Sequence, residues 1–133
     1  MSEALLKEFA FFQCMKKKVL IIEDDPNIAE AERLILEKEF EVFMAHDGSA
    51  GLSLCKEIMP DLIILDLMLP KLSGFEVCKM LRDEGFDKKI VMVTAKTEPR
   101  NEIFGMDLGA DDYIMKPFEP QELLHVVHQV LKR

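Results

Sequence analysis

A chain of 133 residues, nearly half of them hydrophobic and about a third charged, is long enough for one globular domain with a substantial core. The formal net charge of −8, with no dense basic stripe, excludes a direct nucleic-acid footprint. No apolar stretch approaches the length needed to cross a membrane. The three cysteines, Cys14, Cys55 and Cys78, form no CxxC pair and have no histidine at metal-ligand spacing, so they read as reduced thiols of a cytoplasmic protein.

Residues 1–16 stand apart from the rest as an N-terminal extension, and residues 17–133 form the domain proper. Leu5, Phe9 and Phe12 share one face of a short helix, while Met15 is an equally good start for the strand that follows. Glu3 and Glu8, with no small-residue cleavage site, argue against a secretory signal.

The basic lead-in Lys16–Lys18 opens a buried strand that runs to Ile22 and stops at Glu23-Asp24-Asp25. Pro26 suits the first turn of a helix, and Ile28, Ala31, Leu34 and Ile35 recur along it at helical spacing to about Lys38. Glu41–Ala45 is a weaker strand with charge at its start, as at a sheet edge. Asp47 caps a helix carrying Ala50, Leu54 and Ile58, which Pro60 stops. Leu62–Leu65 is an aliphatic run of the kind buried on both faces of a parallel sheet, cut off by Asp66. After the loop through Pro70, a helix spans Ser73–Glu84 with Phe75, Val77, Cys78 and Leu81 on its apolar side, and Gly85 ends it. Lys89–Thr94 is another buried strand, and Pro99–Leu108 a short helix closed by Gly109. Asp112–Met115 is a last strand, broken by Lys116-Pro117. Leu123, Leu124, Val127, Val130 and Leu131 then form the stripe of a final helix.

Strand and helix alternate five times. Short crossovers of this kind force parallel, right-handed connections and a sheet covered on both faces. Four of the strands end in a polar residue they do not need: the first in Glu23, Asp24 and Asp25, the third in Asp66, the fourth in Thr94, the fifth in Lys116. In a parallel sheet these ends open onto one edge, where α/β folds place their ligands. Crowded carboxylates repel, and a hard divalent cation with oxygen ligands is the simplest relief; Mg²⁺ suits a site with few protein ligands. A cation beside Asp66 lets a phosphoryl group approach that carboxylate, and aspartate is a known phosphoryl acceptor. The charge spreading over the transferring group calls for a metal, a cation and a hydroxyl donor, roles open to Asp24, Lys116 and Thr94.

The set Ile22-Glu-Asp-Asp-Pro26, Leu65-Asp-Leu-Met-Leu-Pro70, Ser73-Gly74, Val93-Thr-Ala95 and Gly109-Ala-Asp-Asp-Tyr-Ile-Met-Lys-Pro-Phe118 resembles a response-regulator receiver domain of two-component signalling, over about residues 17–133. The resemblance implies a flavodoxin-like doubly wound (βα)5 fold, strand order 2-1-3-4-5, with helices on both faces. It implies that Asp66 accepts a phosphoryl group from a phosphohistidine on a sensor histidine kinase or a histidine phosphotransfer protein. By the same resemblance Asp24, Asp66 and the backbone carbonyl of Met68 bind Mg²⁺, with Glu23 acting through water. Lys116 contacts the phosphoryl oxygens, ahead of a cis peptide to Pro117. Thr94 moves its hydroxyl onto the phosphoryl group, Ala95 offers a backbone N–H, and Tyr113 rotates inward. The change is read by an output domain or downstream protein through the fourth helix, fifth strand and fifth helix.

Two departures matter. Met68 and Lys96 fall where the family tunes dephosphorylation, and an apolar Met68 cannot orient a water, so a long-lived phospho-form is expected. Many DNA-binding relatives dimerise through charged pairs that Asp111 and Asp112 match, but Glu102 and Val126 stand where those relatives carry arginines. Such a dimer is therefore not expected in its usual form. Three other readings fit less well. A haloacid-dehalogenase-type phosphohydrolase wants a carboxylate where Met68 sits. A flavodoxin-like cofactor binder wants a phosphate cradle where Glu23-Asp24-Asp25 would repel phosphate. A scaffold that is never phosphorylated leaves the full acid, threonine and lysine set without a use.

Overall fold

The computed structural model describes residues 2–95 and 108–133, and of residues 12–14 only the backbone. The helix expected from Pro99, with Lys96 and Glu102, lies outside the described residues. Five parallel strands, β1 (Lys18–Ile22), β2 (Glu41–Ala45), β3 (Leu62–Asp66), β4 (Lys89–Ala95) and β5 (Asp112–Lys116), form one sheet in the order β2-β1-β3-β4-β5. The helices are α1 (Glu3–Met15), α2 (Pro26–Leu36), α3 (Gly48–Ile58), α4 (Gly74–Asp83) and α5 (Pro120–Lys132).

Capping sets the helix starts. Asp25, Asp47 and Ser73 each accept a backbone N–H of the first turn of α2, α3 and α4. At the other end of α3, Met59 takes a left-handed conformation (φ 51°), ending the helix just before Pro60.

Strand side chains alternate between two cores. Val19, Ile21, Leu62, Ile64, Val91, Val93 and Ile114 pack with Ala29 and Leu36 of α2 and with Leu123, Val127 and Val130 of α5. Leu20, Ile22, Ile63, Leu65, Ile90 and Met92 face Cys55 of α3 and Val77, Cys78 and Leu81 of α4. Period two then fixes where the strand-end groups aim. Glu23, Asp66 and Lys116 continue the rows of Ile21, Ile64 and Ile114, toward α2 and α5. Thr94 and Tyr113 belong to the row of Met92, toward α3 and α4.

The buried face of α2 differs from the expected one. Ala29, Glu32 and Leu36 point inward, while Leu34 is 53 % exposed. A glutamate at a core-facing position hides the true stripe from an apolar pattern, and the remaining hydrophobic residues suggest a face turned round the helix.

Arg82 of α4 locks the opposite edge of the sheet. Its guanidinium donates to the carbonyls of Gly109, Phe86 and Lys88, and pairs with Asp111 at 2.9 Å. Asp111 also accepts from the Ile90 amide at 2.8 Å, so one ion pair ties α4 to the starts of β4 and β5.

By contrast, the described side chains of α1 are exposed, including Leu5, Leu6, Phe9 and Phe11. A helix whose described side chains lie in solvent adds little to folding. Deleting residues 1–16 is expected to move the thermal midpoint by no more than about 2 °C; a loss several times larger in a melting experiment would show that α1 supports the domain.

Candidate functional site

At the carboxyl edge of the sheet Glu23 and Asp66 are 1 % and 4 % exposed, and Asp24 beside them is open to solvent. One carboxylate oxygen from each of the three lies within 4.8 Å of the others. The Lys116 ammonium reaches across from β5 to Glu23 Oε1 at 3.0 Å and Asp66 Oδ1 at 3.5 Å. Sequence neighbours hold these groups in place. The Glu23 amide donates to the carbonyl of Ala45, and its own carbonyl meets His46 Nδ1 at 3.1 Å. Asp25, the third acid of that run, is committed to capping α2 through the amides of Asn27 and Ile28.

The charge balance is uneven. Burial, and then the nearby Asp66 carboxylate, push the Glu23 carboxyl up to about 8, against the opposing pull of Lys116. Burial alone would lower the lysine's own affinity for its proton, but the hydrogen bond to Glu23 and the charge of Asp66 outweigh it and raise it. Among the described residues Glu23 Oε2 is enclosed without a hydrogen-bond partner. Carboxylates this close, one with an orphaned oxygen and, among the described residues, only one ammonium between them, fit a hard cation with oxygen ligands.

The loop after Asp66 is built on a close backbone approach. The Met68 amide donates to Asp66 Oδ1 at 3.3 Å, and the Gly74 amide to the carbonyl of Leu67 at 3.1 Å. A Cβ at Gly74 would lie 2.4 Å from the Asp66 carbonyl oxygen and 2.7 Å from Leu67 Cα. Only glycine lets α4 begin against the backbone that carries Asp66. The Met68 side chain is 71 % exposed at the mouth of the site.

Thr94 is buried at the end of β4, and Ala95, exposed, pairs in register with Lys116. The Lys116–Pro117 peptide is cis. Tyr113 is half-buried against the α3/α4 core, its hydroxyl enclosed without a partner among the described residues. Asp111 and Asp112, expected on a dimer surface, are engaged within the chain, Asp111 by Arg82 and Asp112 by Arg133 at 3.2 Å. The structure also brings in a group the sequence reading passed over: Glu32, 2 % exposed on α2, on the side toward which Lys116 points.

Residues 19–128 match the model of the response regulator receiver domain. The chain belongs to this family. As a receiver it is 45 % identical over 121 residues to the DNA-binding response regulator MtrA of Mycolicibacterium smegmatis, covering 90 % of this chain and 52 % of that one. It is 43 % identical over 120 residues to the alkaline phosphatase synthesis transcriptional regulatory protein PhoP of Bacillus subtilis, covering 90 % and 50 %. The chain therefore spans about half the length of these relatives. Among solved structures, a response regulator of Chloroflexus aurantiacus superposes with a TM-score of 0.85 at 36 % identity, covering 89 % of this receiver and 99 % of that chain. The chemotaxis protein CheY4 of Vibrio cholerae gives 0.82 at 31 %, covering 86 % and 98 %. The doubly wound α/β fold with strand order 2-1-3-4-5 is the one these neighbours share.

Two outcomes follow from the geometry. Gly74→Ala should destabilise the receiver by about 1–3 kcal/mol in urea unfolding, because the methyl has rigid backbone and not a side chain to displace; an unchanged midpoint would contradict the close approach. Glu23 and Glu32 both have raised folded pKa values, from 4.5 to about 8 and about 7. Between about pH 4.5 and 8 the native state then binds more protons than the unfolded chain, so these groups make stability fall as pH rises. In EDTA, the stability advantage of Glu23→Gln over the unsubstituted chain should therefore widen from pH 5 to pH 8; a constant or shrinking gap in urea titrations would refute the sign.

Proposed function

We propose that the chain is a phosphorylation-controlled switch in which Asp66 accepts a phosphoryl group from a phosphohistidine on a sensor histidine kinase or phosphotransfer protein. The observation that carries this reading is the meeting of Glu23, Asp24 and Asp66 within 4.8 Å, with Lys116 3.5 Å from Asp66. An Asp66 carboxylate oxygen forms a bond to phosphorus as the bond from phosphorus to the donor imidazole nitrogen breaks, and the imidazole keeps the electron pair. Asp24, Asp66 and the Met68 carbonyl would hold Mg²⁺, with Glu23 acting through water. When bound, that ion offsets carboxylate charge and stabilises the charge on the transferring oxygens. Lys116 balances charge on the phosphoryl oxygens, the Ala95 amide donates to them, and the Thr94 hydroxyl moves onto them.

In this reading the chain is no turnover enzyme: it promotes its own phosphorylation and a slow loss of phosphate. Residues 17–133 are the receiver and residues 1–16 an extension. The phosphorylated side chain adds close to two negative charges. Movement of Thr94 and Tyr113 relays that change to the surface of the expected 99–108 helix, β5 and α5. An output domain or downstream protein reads it there, in the cytoplasm. DNA contact belongs to such an output partner, as the receiver's chain carries a net charge of −8 and its sequence has no dense basic stripe.

Incubation with Mg²⁺ and acetyl phosphate should add one phosphoryl mass to the intact protein. Asp66→Asn should abolish the adduct, and Lys116→Ala should slow its formation by at least about tenfold. No adduct on the unsubstituted chain, or an equal one on Asp66→Asn, would overturn the assignment. With Met68 exposed and apolar, the adduct should outlast a chase of minutes; its loss within seconds would contradict the long-lived form.

A further inference from the structure

Beside the carboxylate cluster the described residues include a third buried acid, which the proposed reaction leaves unused. Glu32 sits mid-way along α2 at 2 % exposure, and among the described residues its Oε2 is enclosed without a hydrogen-bond partner. It borders a cavity of about 640 Å³ whose walls include Ile28, Ile35, Pro117 and Phe118. Apart from Asn27 and Lys116, the other described lining side chains are apolar, and among the described residues the cationic one is Lys116. Strand alternation explains why Glu32 and Lys116 line one cavity, since β5 directs Lys116 toward α2. Burial pushes the Glu32 carboxyl up to about 7, while the charge of Lys116 pulls it down and that of Asp66 pushes it up, so Glu32 senses both partners.

We propose that Glu32 is a positioning residue for Lys116, the second acceptor toward which the ammonium turns when a divalent cation takes Asp24 and Asp66. The inference rests on the reading of this site as a cation-dependent phosphoacceptor. In the structure Lys116 pairs with the Asp66 carboxylate that the cation requires and with the Glu23 carboxyl that would face the cation through water. Two positive centres cannot share them without repulsion, so cation binding displaces the ammonium. A half-buried ammonium moved against apolar walls without an anion would be strongly disfavoured. Glu32 gives it a destination, which raises the affinity of the carboxylates for the cation. It also keeps Lys116 close enough to meet the phosphoryl oxygens.

The test is Mg²⁺ affinity, measured by calorimetric titration of the whole chain without any phosphodonor. Glu32→Leu should fold, because it replaces a buried carboxyl with an apolar side chain of similar size. Glu32→Leu and Glu32→Gln should each weaken Mg²⁺ binding by about five- to tenfold. In a Lys116→Met background the same substitutions should cost no more than about twofold, since no ammonium remains to be placed. Equal affinity of Glu32→Leu, Glu32→Gln and the unsubstituted chain would overturn the inference and leave the phosphoacceptor reading standing. An equal loss in both lysine backgrounds would also overturn it, by making Glu32 a general electrostatic or structural group. No Mg²⁺ binding by the unsubstituted chain would defeat the phosphoacceptor reading and this inference together.

Discussion

Three carboxylates at the ends of two strands repel one another, and the Lys116 ammonium is what allows them to stay together. It spans from β5 to Glu23 and Asp66, closing the carboxyl edge of the sheet with a single positive charge. The balance is incomplete: burial and the neighbouring Asp66 push the Glu23 carboxyl up to about 8, and among the described residues one of its oxygens has no donor. Such a site has a ready use for a further cation. It also means that any ligand reaching Asp66 must renegotiate the position of Lys116.

The rest of the molecule serves that edge in separable ways. The two cores hold the strands at fixed register, so alternation alone sends Glu23, Asp66 and Lys116 to the α2/α5 side and Thr94 to the other. Gly74 lets α4 begin against the Asp66 backbone. Far from the site, Arg82 and Asp111 tie α4 to the starts of β4 and β5. That internal use of Asp111, together with the pairing of Asp112 to Arg133, gives both acids partners within the chain.

Much of this was legible in the sequence because it depends on local rules. Aliphatic runs stopped by polar residues mark buried parallel strands, and the parallel arrangement converts distant strand ends into neighbours. The cap at Asp47 was equally visible. The face of α2 was not, because Glu32 breaks the apolar pattern at the core-facing position and Leu34 supplies a misleading one. Periodicity assumes that what is buried is apolar, and it fails where a buried group is kept for its charge. Arg82 was hidden for another reason: most of its partners are backbone carbonyls, which no side-chain pattern reveals.

The central claim is that Asp66 and its neighbours form a cation-assisted acceptor for a phosphoryl group. Fluorine NMR with Mg²⁺ and beryllofluoride, an acyl-phosphate mimic that needs no phosphodonor, addresses it most directly. The account expects bound fluoride resonances that require Mg²⁺ and vanish in Asp66→Asn. Their absence from the unsubstituted chain, or their persistence in Asp66→Asn, would contradict it.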